Sequence, residues 1–399
     1  MVIGIIGGGA SGMAAALAAG KNPQNEIYLF ERQARLGKKL SATGNGRCNL
    51  SNLTPAPYGG EAPDFADFAL NRYSPRETLS WFEGLGLYTV KEDSGRVYPY
   101  SDQANSVLDV LRLALDKENI TVFTGCEIQK ISKTEKGFLL ETAEESYLCH
   151  KLIIACGGIA GTKLGGTMSG YRLLGSFGHK VTRLRPSLVQ LTSDWKALPA
   201  LKGVRANCGV KIYRENILFA ESAGELQFTE KGLSGPVIFE ISRDVCEGRG
   251  VWEAQLDFLP EMADSTLIRR LAARKNTTLT TDDLFTGILH NRLGRVITKE
   301  AGIGLCPVKM LTDEELKGAS KAAKNLRVVL NGTLGMDSAQ VTAGGVLTKD
   351  FNPETMESRL VPGLYACGEV LDIDGKCGGY NLQWAWSSGR LAGEMAGKV

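Results

Sequence analysis

Apolar residues near the start of the chain fall in two short uninterrupted runs, 2–6 and 27–30. Between them lie a glycine-rich stretch, 7–12, and an alanine-rich one, 13–19. Short apolar runs bounded by turn residues read as buried strands, and the alanine-rich segment reads as a helix, so the chain is predicted to open with a β-α-β unit. Helical spacing returns over 74–85 and 103–115, and strand character at 121–123. The alternating runs 127–131, 138–141 and 146–148, joined by short polar turns, predict an antiparallel meander. Residues 151–156 form another apolar strand, which runs into Gly157-Gly158.

Beyond Pro186 the pattern changes to short strands at 188–191, 204–213, 217–220, 224–228 and 251–258, the texture of a β-rich barrel or sandwich. Residues 264–304 are helical in pattern, with Thr280 or Thr281 as an N-cap before Asp282-Asp283. Thr312 followed by Glu315 is a capping box for a helix to about Lys324, and 326–330 is again a strand. The end of the chain holds a strand at 363–366, a glycine-rich turn, and a helix from about Leu382.

Composition narrows the class. At 399 residues the chain is long enough for two or three domains, at ~100–200 residues each. Lys plus Arg total 46 and Asp plus Glu 44, a balance that argues against a nucleic-acid-coating protein. Residues 264–330 are nevertheless basic, with 12 Lys plus Arg against 7 acids. The nine cysteines are scattered and form no C-x-x-C pair, so no metal site is expected and the thiols read as reduced in a cytoplasm. No apolar stretch reaches the ~18 residues of a membrane helix, and the first residues already read as a strand rather than a signal peptide. Glycine is in excess, 48 residues, of which 27 lie in 1–47, 155–178 and 342–397.

The glycines at the start have a chemical reading. Gly7-Gly8-Gly9-Ala10-Ser11-Gly12 fits G-x-G-x-x-G between a strand and a helix, and Glu31 ends the second strand 19 residues beyond Gly12. In that arrangement Gly7 permits the turn, Gly9 lets backbone approach a pyrophosphate, and Gly12 lets helix and strand pack closely. The helix N-terminus meets the phosphates. Glu31 would accept both ribose hydroxyls, which favours FAD or NAD over NADP. The far end of the chain points to FAD. Gly368-Glu369 ends a strand and offers an acid to the ribityl or pyrophosphate, and Gly378-Gly379-Tyr380-Asn381 opens a helix whose dipole would stabilise a reduced flavin.

Several longer motifs resemble those of the BaiN/YhiN-like FAD-dependent oxidoreductases, a family that includes aminoacetone oxidases. They are Thr43-Gly44-Asn45-Gly46-Arg47-Cys48-Asn49-Leu50-Ser51-Asn52, Gly95-Arg96-Val97-Tyr98-Pro99, Ala155-Cys156-Gly157-Gly158 with Gly178-His179, 228–236, and 368–383. The resemblance covers essentially the whole chain. It implies an α/β fold, with a Rossmann-type FAD-binding domain (1–187 and 337–399) interrupted by a β-barrel-like domain (188–262 and 305–336) that carries a small helical insert (263–304). It implies FAD contacts at Gly7, Gly9, Glu31, Gly44, Arg47, Asn49, Gly157, Gly158, Glu369, Asn381 and Leu382. Ala10, Ser11, Gly12, Arg32, Lys39, Thr43, Gly46, Ile128, Cys156, Gly368 and Gln383 complete the expected cofactor set. Glu230 departs from the pattern, standing where such proteins commonly carry a histidine, and Lys376-Cys377 interrupt the glycine turn.

Residues for the chemistry itself are less defined. Cys48 has no cysteine at 49–57 to form a redox pair, so it reads as a small buried residue. Arg47 could clamp a phosphate, sit beside the flavin, or form a salt bridge. His179 reads as a helix-end cap, His150 and His290 as exposed, and Trp384 and Trp386 as core anchors. Tyr98, Glu230 and Tyr380 are the polar motif residues that could supply a proton. With flavin as the hydride carrier, four activities stay open. They are reduction of a conjugated C=C bond with NAD(P)H as a transient donor, oxidation of an amine with O2, reduction of a uridine in 23S ribosomal RNA, and a non-enzymatic redox sensor. The expected partner is a small-molecule substrate, or ribosomal RNA, with no membrane.

Overall fold

The computed structural model describes residues 1–245 and 250–398. Cys246 lies outside the described residues. The chain divides into two compact units, one of Met1–Pro186 with Met336–Val399 and the other of Ser187–Gly335.

The first unit is built on β1 (Val2–Ile6), α1 (Ala10–Ala19), β2 (Glu26–Glu31), α2 (Ala104–Leu115), β3 (Ile120–Thr124), β4 (Lys151–Ile154), β5 (Leu364–Ala366) and α3 (Tyr380–Ala396). The five strands form one sheet in the order β3-β2-β1-β4-β5. Every pairing in it is parallel. Such strands are covered on both faces and so carry continuous apolar runs rather than alternation. Ile3, Ile5, Ile27, Leu29, Ile153 and Ile154 are accordingly buried. Strand order reverses at β1, and in doubly wound sheets the ligand crevice lies beyond the strand C-termini at such a reversal.

Helix α1 starts at Ala10, inside the glycine motif, with Gly9 as N-cap. It packs against α3 unusually closely. A Cβ on Gly389 would lie 2.3 Å from the Ser11 carbonyl oxygen, one on Gly393 2.2 Å from that of Ala15, and one on Gly397 3.3 Å from Ala19. The spacing of four residues on both helices puts one bare stripe against another. Three of the C-terminal glycines thus serve helix packing.

The meander occupies Lys130–Thr134, Gly137–Glu141 and Ser146–Cys149, antiparallel throughout. Its first strand begins later than the alternation predicts, because Glu127 and Ile128 are diverted to line a cleft.

In the second unit a seven-stranded sheet runs in the order Leu326–Leu330, Trp252–Asp257, Arg205–Arg214, Ile217–Thr229, Gly232–Ser234, Leu191–Thr192, Gly332–Thr333. The runs 217–220 and 224–228 are one strand, since Glu221, Ser222 and Ala223 keep pairing with Lys211, Val210 and Gly209. The two edge strands are separated in sequence only by Asn331. Helices Asp264–Ala273, Asn291–Glu300 and Asp313–Lys324 turn Leu267, Leu271, Leu293, Ile297, Leu316 and Ala319 into the same apolar cluster as the sheet. Residues 263–304 therefore have no core of their own. The capping box of Thr312 and Glu315 is formed as predicted. Thr280 instead precedes only the single 3-10 turn Thr281–Asp283, without a side-chain capping bond, and His290 accepts from Arg292 N–H to start the next helix.

Candidate functional site

Three glycines of the first turn separate by what a side chain would strike. Gly7 has φ +113°, and a Cβ there would lie 2.4 Å from the Ala155 carbonyl oxygen. At Gly12 a Cβ would lie 1.8 Å from the Gly7 carbonyl oxygen. Both positions are dictated by the fold. At Gly9 a Cβ would meet nothing within 4 Å, so its bareness serves something outside the chain. The first helical backbone bond is Met13 N–H to Gly9 C=O. The N–H groups of Ala10, Ser11 and Gly12 consequently stand at the helix start without an intrahelical acceptor, the arrangement that receives a phosphate.

Beside this turn a cleft, open at its mouth, is lined by Glu31, Arg32, Ile128 and Cys156 among others. The Glu31 carboxylate is set by Gly8 N–H to Oε2 (2.8 Å) and Gln33 N–H to Oε1 (2.7 Å), which leaves each oxygen a further lone pair. Arg32 donates to the Gly165 carbonyl at 2.9 Å. Burial pushes the Cys156 thiol up to about 12, so it is a neutral wall of the cleft rather than a nucleophile.

At the ends of β4 and β5, Glu369 accepts from Lys39 Nζ through Oε2 and from Thr342 N–H through Oε1, each at 2.8 Å. A Cβ on Gly158 would come within 2.6 Å of Glu369 Oε1, whereas one on Gly157, at φ +70°, would meet nothing. Gly368 has φ +76° and lies against Ser11 Oγ. These contacts tie the Gly157-Gly158 and Gly368-Glu369 segments to the first turn.

A third group of segments surrounds residues 43–49. Gly44, Asn45, Gly46 and Cys48 all have φ between 56° and 86°. Thr43 Oγ1 donates to the Leu40 carbonyl at 2.7 Å. The Asn49 Oδ1 atom is buried without a hydrogen-bond partner. A Cβ on Gly379 would lie 2.8 Å from that oxygen. Asn381 makes two bonds to the Gly375 backbone, both at 2.8 Å, which lock its side chain and leave its own N–H and that of Leu382 in the first turn of α3. Tyr380 OH donates to the Thr54 carbonyl at 2.9 Å. Gln383 behaves differently from expectation. Its Oε1 accepts from Ser51, and its Nε2 faces the Tyr73 carbonyl, Thr78 Oγ1 and Ser387 Oγ, all in a buried polar knot. These four partners hold its side chain in place, where it positions the loop.

Arg47 resolves to an ion-paired state, with Glu92 at 3.0 Å and Asp102 at 2.6 Å, and its guanidinium lies 4.0 Å over the Tyr98 ring. Tyr98 is buried, and burial together with Glu92 raises its hydroxyl, which keeps it protonated. Glu230 belongs to the second unit, where it is exposed and paired with Lys202 at 2.8 Å. That pairing lowers its carboxyl, so it is held ionised rather than ready to donate a proton. Cys48 is buried, its thiol pushed up to about 12 by desolvation. His179 is buried, stacked 4.5 Å from Phe351, with Nε2 2.9 Å from Ser358 Oγ. His150 and His290 are exposed. Trp384 and Trp386 are core residues whose Nε1–H groups bond the Gly368 and Leu50 carbonyls. Thr342 was not legible in the sequence, because it bears no motif and meets Glu369 only through the fold.

A family model described as "HI0933-like protein Rossmann domain" matches residues 1–395. The chain belongs to this family. Over 405 aligned residues it is 39% identical to a 3-dehydro-bile acid delta(4,6)-reductase of Clostridium scindens, covering 99% of this chain and 98% of that protein. It is 32% identical to a ribosomal RNA dihydrouridine synthase of Escherichia coli, covering 96% and 95%. A ribosomal RNA dihydrouridine synthase of Haemophilus influenzae is 30% identical over the same two shares. This HI0933-like protein is thus a Rossmann-fold flavoprotein oxidoreductase. Its residues suit FAD on structural grounds: a gap at Gly9, another at Gly157, a helix start free of acceptors, and an unpartnered buried acceptor at Asn49 Oδ1. Among the described residues no helix is long and apolar enough to cross a membrane.

Proposed function

We propose that this protein is an FAD-dependent reductase of a C=C bond conjugated to a carbonyl, with NAD(P)H as the transient electron donor. The observation that carries the reading is kinship along the full chain with two differently named reductases. A delta(4,6)-reductase of a 3-dehydro bile acid and a dihydrouridine synthase both saturate a C=C bond in conjugation with C=O, so the shared chemistry is narrower than the substrates. Bound FAD would supply hydride from its N5 position. The residues named above then divide the work. Gly9 and the α1 N-terminus receive the pyrophosphate, Glu31 the ribose, Glu369 and Lys39 the linking chain, and the α3 N-terminus the pyrimidine edge. Tyr98, kept protonated, is the proton source this reading favours, since a reduced enone needs a proton as well as a hydride.

Ribosomal RNA is the second reading, supported by the relatives at 32% and 30% identity. The basic segment gives it limited support. Lys275, Arg295, Lys317, Lys324 and Arg327, five of its twelve cations, are already paired with Asp313, Asp282, Glu314, Asp257 and Glu253. Anaerobic addition of NADH or NADPH to the FAD-loaded protein tests the main reading. Bleaching of the flavin, followed by a saturated product from a conjugated ketone, is expected. Failure of both donors to bleach it removes the NAD(P)H step, and dihydrouridine appearing only in RNA selects the second reading.

A further inference from the structure

The cleft beside the first glycine turn is crossed by one hydrogen bond whose role the cofactor contacts leave open. In the sheet β1 lies between β2 and β4, so the segments that follow β2 and β4 form two walls on either side of Gly7. Glu31, Arg32 and Ile128 line one wall, and Gly165, Thr167 and Ser169 line the other. The bond from Arg32 Nη2 to the Gly165 carbonyl, 2.9 Å long, joins the two. Glu31 and Glu127 line the same cleft. Among the described residues Arg32 nevertheless pairs with neither, and its side chain makes no other hydrogen bond.

On the Gly165 side the bond ends on a turn that is held at its base. Gly161 N–H bonds the Met336 carbonyl at 2.8 Å, Thr162 Oγ1 bonds Asp337 Oδ1 at 2.7 Å, and Thr167 N–H bonds the Gly158 carbonyl at 3.2 Å. Between these anchors the N–H groups of Leu164, Gly165 and Gly166 bond only back to the Gly161 and Thr162 carbonyls. Gly165 has φ +110°, and a Cβ on Gly166 would lie 2.5 Å from the Ile159 carbonyl oxygen, so the tip requires both glycines. Lys163, in the same tip, is exposed. Among the described residues, Arg32 makes the hydrogen bond that ties the tip 163–166 to the opposite wall.

We infer that Arg32 is a strap across the adenosine end of the cofactor site, whose bond to Gly165 opens for FAD to enter or leave and so sets the rate of exchange. The inference needs FAD in this cleft and goes beyond the reductase reading, since it is independent of the reaction the flavin performs. The cleft persists beneath the closed bond, so the strap does not take the place of the adenosine. A dinucleotide that reaches from this cleft past Gly9 to Gly157 is laid in along its length, across the line of the bond. A hydrogen bond from a charged donor biases an equilibrium about 10-fold, which leaves the strap open in about one molecule in ten. Passage in either direction waits for that open state, so losing the strap speeds both directions and leaves affinity as it was.

The test has two readouts on wild type and Arg32→Gln, neither of which needs turnover. The first is the rate of FAD binding to the apoprotein, from quenching of FAD fluorescence on mixing, and of release on large dilution. Both rates are expected to rise about 10-fold in Arg32→Gln, with Kd unchanged within about 3-fold. Arg32→Lys, whose ammonium can still reach one carbonyl, should fall between. The second readout is cleavage of the apoprotein after Lys163 by a lysine-specific protease, which follows the open population. It should quicken about 10-fold in Arg32→Gln while cuts elsewhere in the chain keep their rates. Faster release with unchanged binding makes Arg32 a direct ligand and overturns the strap. Unchanged cleavage after Lys163 also overturns it and leaves FAD in the cleft untouched. Faster cleavage with unchanged FAD rates overturns the gating and places the failure in the assignment of the cleft to FAD.

Discussion

Replacing Gly9 and Gly12 separately with alanine divides cofactor binding from folding within one six-residue turn. At Gly12 the new Cβ would sit 1.8 Å from the Gly7 carbonyl oxygen. That oxygen is backbone and cannot rotate aside, so the strand-to-helix junction must open. Overpacking of this kind costs about 1–3 kcal/mol, and the depth of the clash places Gly12→Ala at the upper end. For a unit of this size each kcal/mol lowers the Tm by about 2–4 °C, giving a fall of roughly 6–12 °C. Gly9 has φ −82° and ψ −167°, which alanine adopts without strain. Its Cβ would meet no protein atom within 4 Å. The apoprotein stability of Gly9→Ala should therefore stay within about 0.5 kcal/mol of wild type, a lost N-cap preference offsetting reduced unfolded-state entropy. The methyl would stand where the pyrophosphate has to approach the N–H groups of α1, and FAD affinity should fall about 10- to 100-fold, or ~1.4–2.8 kcal/mol. Thermal unfolding of the apoprotein and titration of FAD by fluorescence quenching read the two effects independently. Unchanged FAD affinity in Gly9→Ala would refute the assignment of this turn to the pyrophosphate, whatever Gly12→Ala does.

Other expectations follow from the same geometry. Gly393→Ala would place a Cβ 2.2 Å from the Ala15 carbonyl oxygen and should destabilise the first unit by about 1–3 kcal/mol in a denaturant titration, whereas wild-type stability would mean that α1 and α3 do not pack as described. Burial holds His179 neutral by lowering its pKa, with Asp350 opposing. Its stability contribution is present above the unfolded value, near 6.5, and is lost as pH falls below it; Tm measured from pH 7.5 to 5 should fall less steeply in His179→Phe than in wild type, and parallel curves would sink the idea. Cys48→Ala should leave the flavin reduction potential unchanged, since the thiol is protonated and has no redox partner among neighbouring residues; a shifted potential, or loss of turnover with FAD still bound, would contradict that.

Much of the first unit was legible because parallel strands and glycine turns leave local marks. The runs at 2–6 and 27–30, the glycine triplet and Glu31 each owe their identity to neighbours a few residues away, and they lie in one sheet and one turn. The later glycines were harder to read, because glycine answers to several demands. Gly378 and Gly379 border the Asn49 and Arg96 segments, but Gly389, Gly393 and Gly397 answer to a helix met from the opposite end of the chain. The polar knot around Gln383 was hidden for a similar reason: its partners Ser51, Tyr73 and Thr78 lie more than 300 residues away, where no motif reports them. In the second unit the capping box at Thr312 is a local signal and holds. The division into barrel and insert rested on the strand and helix texture and on the family resemblance, and no local signal showed that the helices of 263–304 share one apolar cluster with the sheet. Thr342, whose N–H bonds Glu369, needed the fold.

Whether reduced flavin in this protein hands its electrons to a C=C bond conjugated to a carbonyl is tested by reducing the FAD-loaded protein anaerobically, mixing it with a conjugated ketone, and recording flavin absorbance together with the product. Prompt reoxidation is expected, with one saturated product formed per flavin. Flavin that stays reduced with the ketone, yet reoxidises at once on admission of oxygen with release of peroxide, would contradict it and identify an oxidase.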